Sequence, residues 1–336
     1  MNLRQWSAFW LLSLIWGASF MLIKIGLQGM GTLTLVTFRI ALGALALWMV
    51  VLWRRLPLPR AGATLGALVL MGLFNNAIPF TLITWGETTV DSGLAAVLNG
   101  TVPLFTIVIA HLWLRDERIT LPKVIGLLVG FAGVIMVIHG GAAELSLATL
   151  RSGALSGQLA VVLASASYAA AAVFARRYLQ NVHAFVLAAI QLTAATLFIS
   201  AALFLWEWPP ALHTSAVAPL LAVVTLGVVN TGVAYMLFFS LLSQVGATRT
   251  TLVTYVIPAV GLFLGFVFLG EPLSLAVILG FLLIVAGVLL VNNQLVQRQP
   301  NPYDGRRSPT EPVPPRSETF GDRHETLHCS RRKNQV

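Results

Sequence analysis

Charged side chains are scarce in this chain: only 10% of its residues are Asp, Glu, Lys or Arg, where a soluble globular protein carries near a quarter. A water-facing surface cannot be assembled from so few. With 57% apolar residues and a mean hydropathy of +0.84, the expected solvent is a lipid bilayer. Cysteine is nearly absent, and Cys329 alone excludes an intrachain disulfide framework. Asp and Glu are missing from the middle third of every apolar run. That disfavours export of cationic drugs against protons, a chemistry that uses a buried carboxylate to bind both. No grouping of His, Cys, Asp and Glu has metal-site spacing, so neither metal nor cofactor is expected. Asp116, Glu117 and His111 are the only cluster open to a membrane-embedded enzyme acting on lipid-linked substrates, and no ligand spacing accompanies them. The net charge of +9 does not indicate nucleic acid, because the basic residues sit in short loops and the tail, not on one soluble face.

What the chain has in quantity is uninterrupted apolar sequence. About 20 apolar residues cross the hydrocarbon core as a helix. Ten such runs are legible, at 6–28, 32–53, 62–86, 90–114, 122–139, 155–177, 183–206, 216–240, 247–270 and 275–296. The first reaches spanning length, so it reads as a helix and not as a signal peptide. Alternate loops hold Arg54, Arg55 and Arg60, then Arg115, Arg118 and Lys123, then Arg176 and Arg177, then Arg249, whereas the opposite loops hold little beyond Arg151. Basic bias in short loops sets orientation. The reading is a multi-pass protein of the inner (plasma) membrane with both termini cytoplasmic. Most tryptophans, among them Trp53, Trp85, Trp113 and Trp206, lie near run ends, where indole prefers the headgroup region.

Slid against itself by about 150 residues, the chain pairs Trp16 with Tyr168, Lys24 with Arg176 and Arg39 with Gln191. A slightly larger offset pairs Asn76 with Asn230, Pro103 with Pro258, Glu117 with Glu271, Gly126 with Gly280 and Gly133 with Gly287. The repeat unit is five helices, and an odd number of crossings inverts the second copy. The expected fold is therefore an all-α polytopic membrane protein of ten transmembrane helices in two inverted repeats, 1–140 and 155–296. An external linker, 141–154, joins them, and 297–336 follows as a cytoplasmic tail too rich in Pro, Ser and charge to order itself. Inverted repeats suit alternating access about a central site.

The stretch Trp16-Gly17-Ala18-Ser19-Phe20, together with two copies of a Pro, a dozen apolar residues, a Glu and a Gly-rich helix (Pro103 to Gly133, Pro258 to Gly287), resembles the EamA domains of the drug/metabolite transporter superfamily. The likeness covers about residues 6–295. It implies ten helices, cytoplasmic termini and, commonly, export of amino acids or related metabolites. The tail is not part of the pattern.

Three runs contain an interior proline, which frees the carbonyl four residues earlier: Asn75 before Pro79, Asn99 before Pro103, Thr254 before Pro258. Freed backbone at membrane depth is tolerated only where protein or a water-filled cavity satisfies it. The third, fourth and ninth runs are thus expected to line a cavity, with Asn76 beside Asn75, and with Asn230 and Tyr235 added from the eighth run by repeat equivalence. Val233 stands there in place of Pro79's counterpart. Each polar group has a plain alternative in helix packing. Arg39, near mid-depth, costs at least about 2.5–3.5 kcal/mol to insert, so it either holds a substrate carboxylate or points at helix carbonyls. Lys24 is expected to snorkel to the interface. Trp16, Tyr168, Tyr235 and Tyr255 share mid-depth and offer an aromatic wall. Glu117 and Glu271 precede helix starts, where a carboxylate is stabilised by the positive helix end and Thr120 or Ser274 supplies the cap. Their expected role is structural, as is that of the Gly rows, which read as close helix packing.

The resulting expectation is a secondary transporter, not an enzyme, exporting an amino acid or related zwitterion or anion. Lipophilic drugs and nucleosides are the alternative cargo, and a lipid-modifying enzyme the rival class. Its partners would be a small-molecule substrate, the bilayer, and a coupling proton or exchange solute, with no nucleic acid. The sequence indicates no oligomeric state.

Overall fold

In lipid every backbone N–H and C=O must be satisfied within the protein, which leaves helices as the solution for long apolar runs. The computed structural model describes residues 1–59, 62–114, 119–141, 153–179, 182–212 and 216–296. Within them run α1 (Leu3–Leu27), α2 (Thr32–Trp53), α3 (Ala63–Gly86), α4 (Ser92–Trp113) and α5 (Leu121–Gly141), then α6 (Ala154–Tyr178), α7 (Ala184–Trp206), α8 (Val217–Val245), α9 (Arg249–Leu269) and α10 (Leu275–Val296). Among the described residues nine helices, α1 to α9, are long and apolar enough to cross a bilayer, and α10 carries the apolar run Leu275–Val291. No strand occurs among those residues, only an isolated bridge between Met30 and Leu212. Glu117, most of the linker and the tail lie outside the described residues.

Helix ends follow from local chemistry in some places and from distant residues in others. Asn2 and Gln5 form a capping box on α1 through bonds of 3.0 and 2.9 Å, satisfying two of its orphan donors. Ser274 Oγ accepts from Val277 N at 3.2 Å at the start of α10. Gly270, at φ +67°, turns the chain out of α9 in the left-handed conformation that only glycine adopts freely. α2 and α4, by contrast, have no cap from their own neighbourhood. The Glu207 carboxylate accepts from Leu33 N (2.9 Å), Thr34 N (3.0 Å) and Thr34 Oγ1 (2.6 Å). Glu271 accepts from Ser92 N (2.7 Å) and Gly93 N (2.9 Å). Each acid follows the end of one helix and neutralises the positive start of another.

Small residues decide which helices touch. α5 and α10 pack along their glycine rows: a Cβ on Gly126 would fall 2.7 Å from the Gly287 carbonyl oxygen, and one on Gly133 2.7 Å from that of Gly280. Backbone meets backbone there. α2 packs on α7, where Trp48 Nε1 donates to Thr193 Oγ1 at 2.8 Å. α1 packs on α8 and α9, while α6 packs on α3 and α4. Outward faces are apolar, with Leu45, Met49, Leu128, Phe263 and Leu282 exposed, as a lipid-covered surface requires.

Candidate substrate site

The site begins with two irregular turns. α3 passes through a π segment at Leu73–Ala77, and α8 through one at Val228–Val233. Such bulges add a residue to one turn and re-aim the side chains around it. In α3 the cause is legible, since Pro79 cannot donate to the Asn75 carbonyl. In α8, without a proline, Thr231 Oγ1 instead donates to the Leu226 carbonyl at 2.9 Å across the widened turn. The sequence reading missed both segments; the paired asparagines Asn76 and Asn230 were the available signal.

The bulges divide the asparagines between two tasks. Asn75 Nδ2 donates to Gln191 Oε1 on α7 at 3.2 Å. Asn230 Nδ2 donates to Ser19 Oγ at 2.9 Å and to the Ile15 carbonyl, tying α8 to α1. Asn76 is fully buried and accepts at Oδ1 from the Tyr235 hydroxyl at 3.3 Å, while its Nδ2 has no partner. Beside it, the Arg39 guanidinium lies 4.1 Å from the ring centroid of Phe80, a contact worth about 2 kcal/mol when desolvated. Arg39 is 7% exposed, and its Nε is sealed from solvent without a partner. Phe80 meets Tyr168 edge-on at 6.4 Å. The Arg39 charge acts on the hydroxyls of both Tyr168 and Tyr235. Helices α2, α3, α6 and α8 thus contribute Arg39, Asn76, Tyr168 and Tyr235 to one group, with Arg39 and Tyr168 on Phe80 and Tyr235 bonded to Asn76.

An aromatic row runs onward from this group. Tyr235 stacks on Phe239 at 5.8 Å, Phe239 meets Phe238 at 5.5 Å, and Phe238 meets Trp16 at 5.4 Å. Phe80, Phe238 and Phe239 escaped the sequence reading because phenylalanine in an apolar helix looks like any other packing residue. Tyr255 packs against the same buried cluster as Trp16 and Tyr168.

The remaining candidates are placed elsewhere or differently. α4 is interrupted after Asn99, and its second part starts at Val102, so Pro103 falls in a first turn, where a missing N–H leaves nothing unsatisfied. Asn99 Oδ1 is buried without a partner. Pro258 lies inside continuous helix, and its ring packs 2.9 Å from where a Cβ on Gly100 would stand. Thr254 Oγ1 turns back to the Thr251 carbonyl at 2.7 Å. Glu271 lies against the start of α4, not of the helix that follows it in sequence. Lys24, expected to snorkel, instead donates from Nζ to the carbonyls of Glu87 (2.7 Å) and Val90 (2.8 Å), because the free carbonyls at the negative end of α3 attract the ammonium. Among the described residues no group of His, Cys, Asp and Glu has the arrangement of a metal site.

Comparison with known proteins gives this arrangement its setting. Residues 6–139 and 155–293 each match the EamA-like transporter family. The chain belongs to that family. This EamA-family protein is similar to YoaV of Bacillus subtilis, called an uncharacterized transporter, at 26% identity over 83% of this chain and 93% of that one. It is also similar to YedA of Escherichia coli K12, called an uncharacterized inner membrane transporter, at 29% identity over 87% and 92%. A protein of Streptantibioticus cattleyicolor, called a probable terminal-alkyne amino-acid exporter, is 28% identical over 84% and 92%. A solved crystal structure shares the fold, with a TM-score of 0.62 at 19% identity over 89% of this chain and all of that one. The protein is a multi-span membrane transporter, with a small-molecule substrate and the bilayer as its partners.

Proposed function

We propose that this transporter exports a small carboxylate-bearing metabolite, an amino acid foremost, by alternating access between two inverted halves, 1–140 and 155–296, with both termini in the cytoplasm. The carrying observation is a buried group that donates more than it accepts: the sealed Arg39 Nε and the Asn76 Nδ2 both lack partners. A buried unpaired donor costs about 1–3 kcal/mol, and more when charged. A substrate carboxylate offers acceptor lone pairs in the geometry an arginine fork matches. Tyr168, Tyr235 and Trp16 form the wall against which its apolar part rests. Asn75 ties α3 to α7 and Asn230 ties α8 to α1, Tyr255 packs on the cluster that holds Trp16 and Tyr168, and Asn99, Thr254, Pro79, Pro103 and Pro258 are assigned to the shape of α3, α4 and α9.

Two further facts support the reading. α1 packs on α8 and α9 where α6 packs on α3 and α4, the exchange of partners that a pseudo-two-fold axis between halves requires. A relative bears the name of a probable amino-acid exporter. Counterflow in proteoliposomes tests the proposal, using labelled amino acids, decarboxylated analogues, nucleosides and lipophilic cations. Exchange of amino acids but not of their decarboxylated analogues is expected. Exchange confined to nucleosides or drugs would overturn it.

A further inference from the structure

Glu87 takes no part in the site above, yet it is fully buried, and neither carboxylate oxygen has a hydrogen-bond partner. It caps the end of α3, one residue beyond Gly86, which packs against the Gly157 carbonyl of α6. Lys24 of α1 comes closest in charge, but its ammonium is held by the carbonyls of Glu87 and Val90 and makes no bond to the carboxylate. Glu271, between α9 and α10, faces it from the other half of the chain with a carboxylate committed to the amides of Ser92 and Gly93. Arg39 of α2 acts on it from farther away. Asp91 stands exposed on the turn into α4. From α6 the neighbouring Gln158 is neutral and buried.

We propose that Glu87 is a proton-binding site whose protonation closes the end of the helix assembly where α3 stops and α4 begins. Resting on the transport reading, this supplies the ion that drives the change of access. An ionised carboxylate without partners is not tolerated in such a place; it takes a proton or moves to water. Burial, and the fixed negative charge of Glu271, hold the Glu87 carboxyl well above the usual carboxylate range, while Lys24 acts in the opposite sense. The neutral acid stays inside and the end is shut. Once water reaches it, the proton leaves, and the ionised side chain is solvated only while that end stays open. Glu87 and Lys24 lie in the first matched segment and Glu271 in the second, so movement between the two changes the field at Glu87.

The ligand is a proton and not a metal cation. A metal cation such as calcium needs a shell of about six or more oxygens, whereas the carbonyls of Glu87 and Val90 are already taken by the Lys24 ammonium, whose charge would repel it.

The test needs no substrate, so its failure is separable from failure of the transport reading, which amino-acid counterflow decides. Val90, 2% exposed beside Glu87, becomes cysteine in a Cys329→Ser background. Full-length protein in proteoliposomes is then labelled with a membrane-impermeant maleimide across a pH series, with rates corrected for thiolate fraction. Labelling is expected to rise about tenfold per pH unit to a plateau, and to stay low at every pH once Glu87→Gln is added. Unchanged pH dependence in the Glu87→Gln protein would overturn the proposal, as would protection of Val90→Cys by sodium at fixed pH. Should Val90→Cys fail to fold, pH-difference infrared spectra of the unaltered protein decide: a protonated-glutamate carbonyl band that Glu87→Gln abolishes is expected, and the same band in both proteins refutes it.

Discussion

At the scale of single residues, Arg39 shows how an expensive group is kept. Its charge is only 7% exposed, and the face of Phe80 replaces part of the lost hydration. Lysine would keep the charge but lose the planar stack and the fork. Arg39→Lys is expected to raise the KM for amino-acid counterflow by about tenfold or more, measured on the folded fraction because loss of the stack on Phe80 also lowers the melting temperature; unchanged KM would make the arginine structural. Glu271 offers a second test. Its removal leaves the amides of Ser92 and Gly93 without an acceptor, and charge-assisted bonds of this kind contribute about 1.5–3 kcal/mol. Glu271→Ala is therefore expected to lower unfolding stability in detergent by about 2 kcal/mol. Glu87 adds a pH signature. Its carboxyl is held well above its ordinary range by burial, so over the interval between the ordinary and the raised value the folded protein binds a proton that the unfolded chain has released. Stability is expected to fall as pH rises through that interval. A melting series should show this slope in wild type and a flatter one in Glu87→Gln.

At the scale of elements, the helices divide into those that build the site and those that brace it. α3 and α8 carry the π segments and α4 is broken at Asn99; the unpaired atoms of Asn76 and Asn99 lie on two of these irregular elements, while Arg39 stands on the regular α2. α5 and α10 are regular and meet through glycine backbone. A methyl at Gly133 would fall 2.7 Å from the Gly280 carbonyl and 2.8 Å from Ile284 N, so the two helices would have to part. Overpacking of this kind typically costs about 1–3 kcal/mol. Gly133→Ala should lower thermal stability by that amount, while counterflow per folded molecule stays near wild type because no proposed site residue lies on either helix. Loss of counterflow with unchanged stability would instead place α5 and α10 in the transport cycle.

At the scale of the whole molecule, the proposed orientation carries its own prediction. Reporter fusions before residue 1 and after 296 are expected to give cytoplasmic signals at both ends, as two five-helix halves of opposite sense demand. Signals on opposite faces would remove the inverted arrangement, and with it the equivalence of Asn76 and Asn230.

Membrane residence, the runs that become helices α1 to α10, and the two asparagines that fall in π segments, Asn76 and Asn230, were legible from the chain alone. Hydrophobic length and spacing are local properties of sequence. Arg39 was legible for the same reason, since an arginine in an apolar run is costly whatever surrounds it. The bond from Glu271 to Gly93 joins residues 178 positions apart, and no periodicity announces such a meeting. The same holds for Lys24 reaching Glu87 and Val90 and for Phe80 beneath Arg39. In the sequence, Glu87 is a single acid directly after the apolar run 62–86. Only tertiary packing buried it, because whether a carboxylate meets water or protein depends on helices brought against it from elsewhere in the chain.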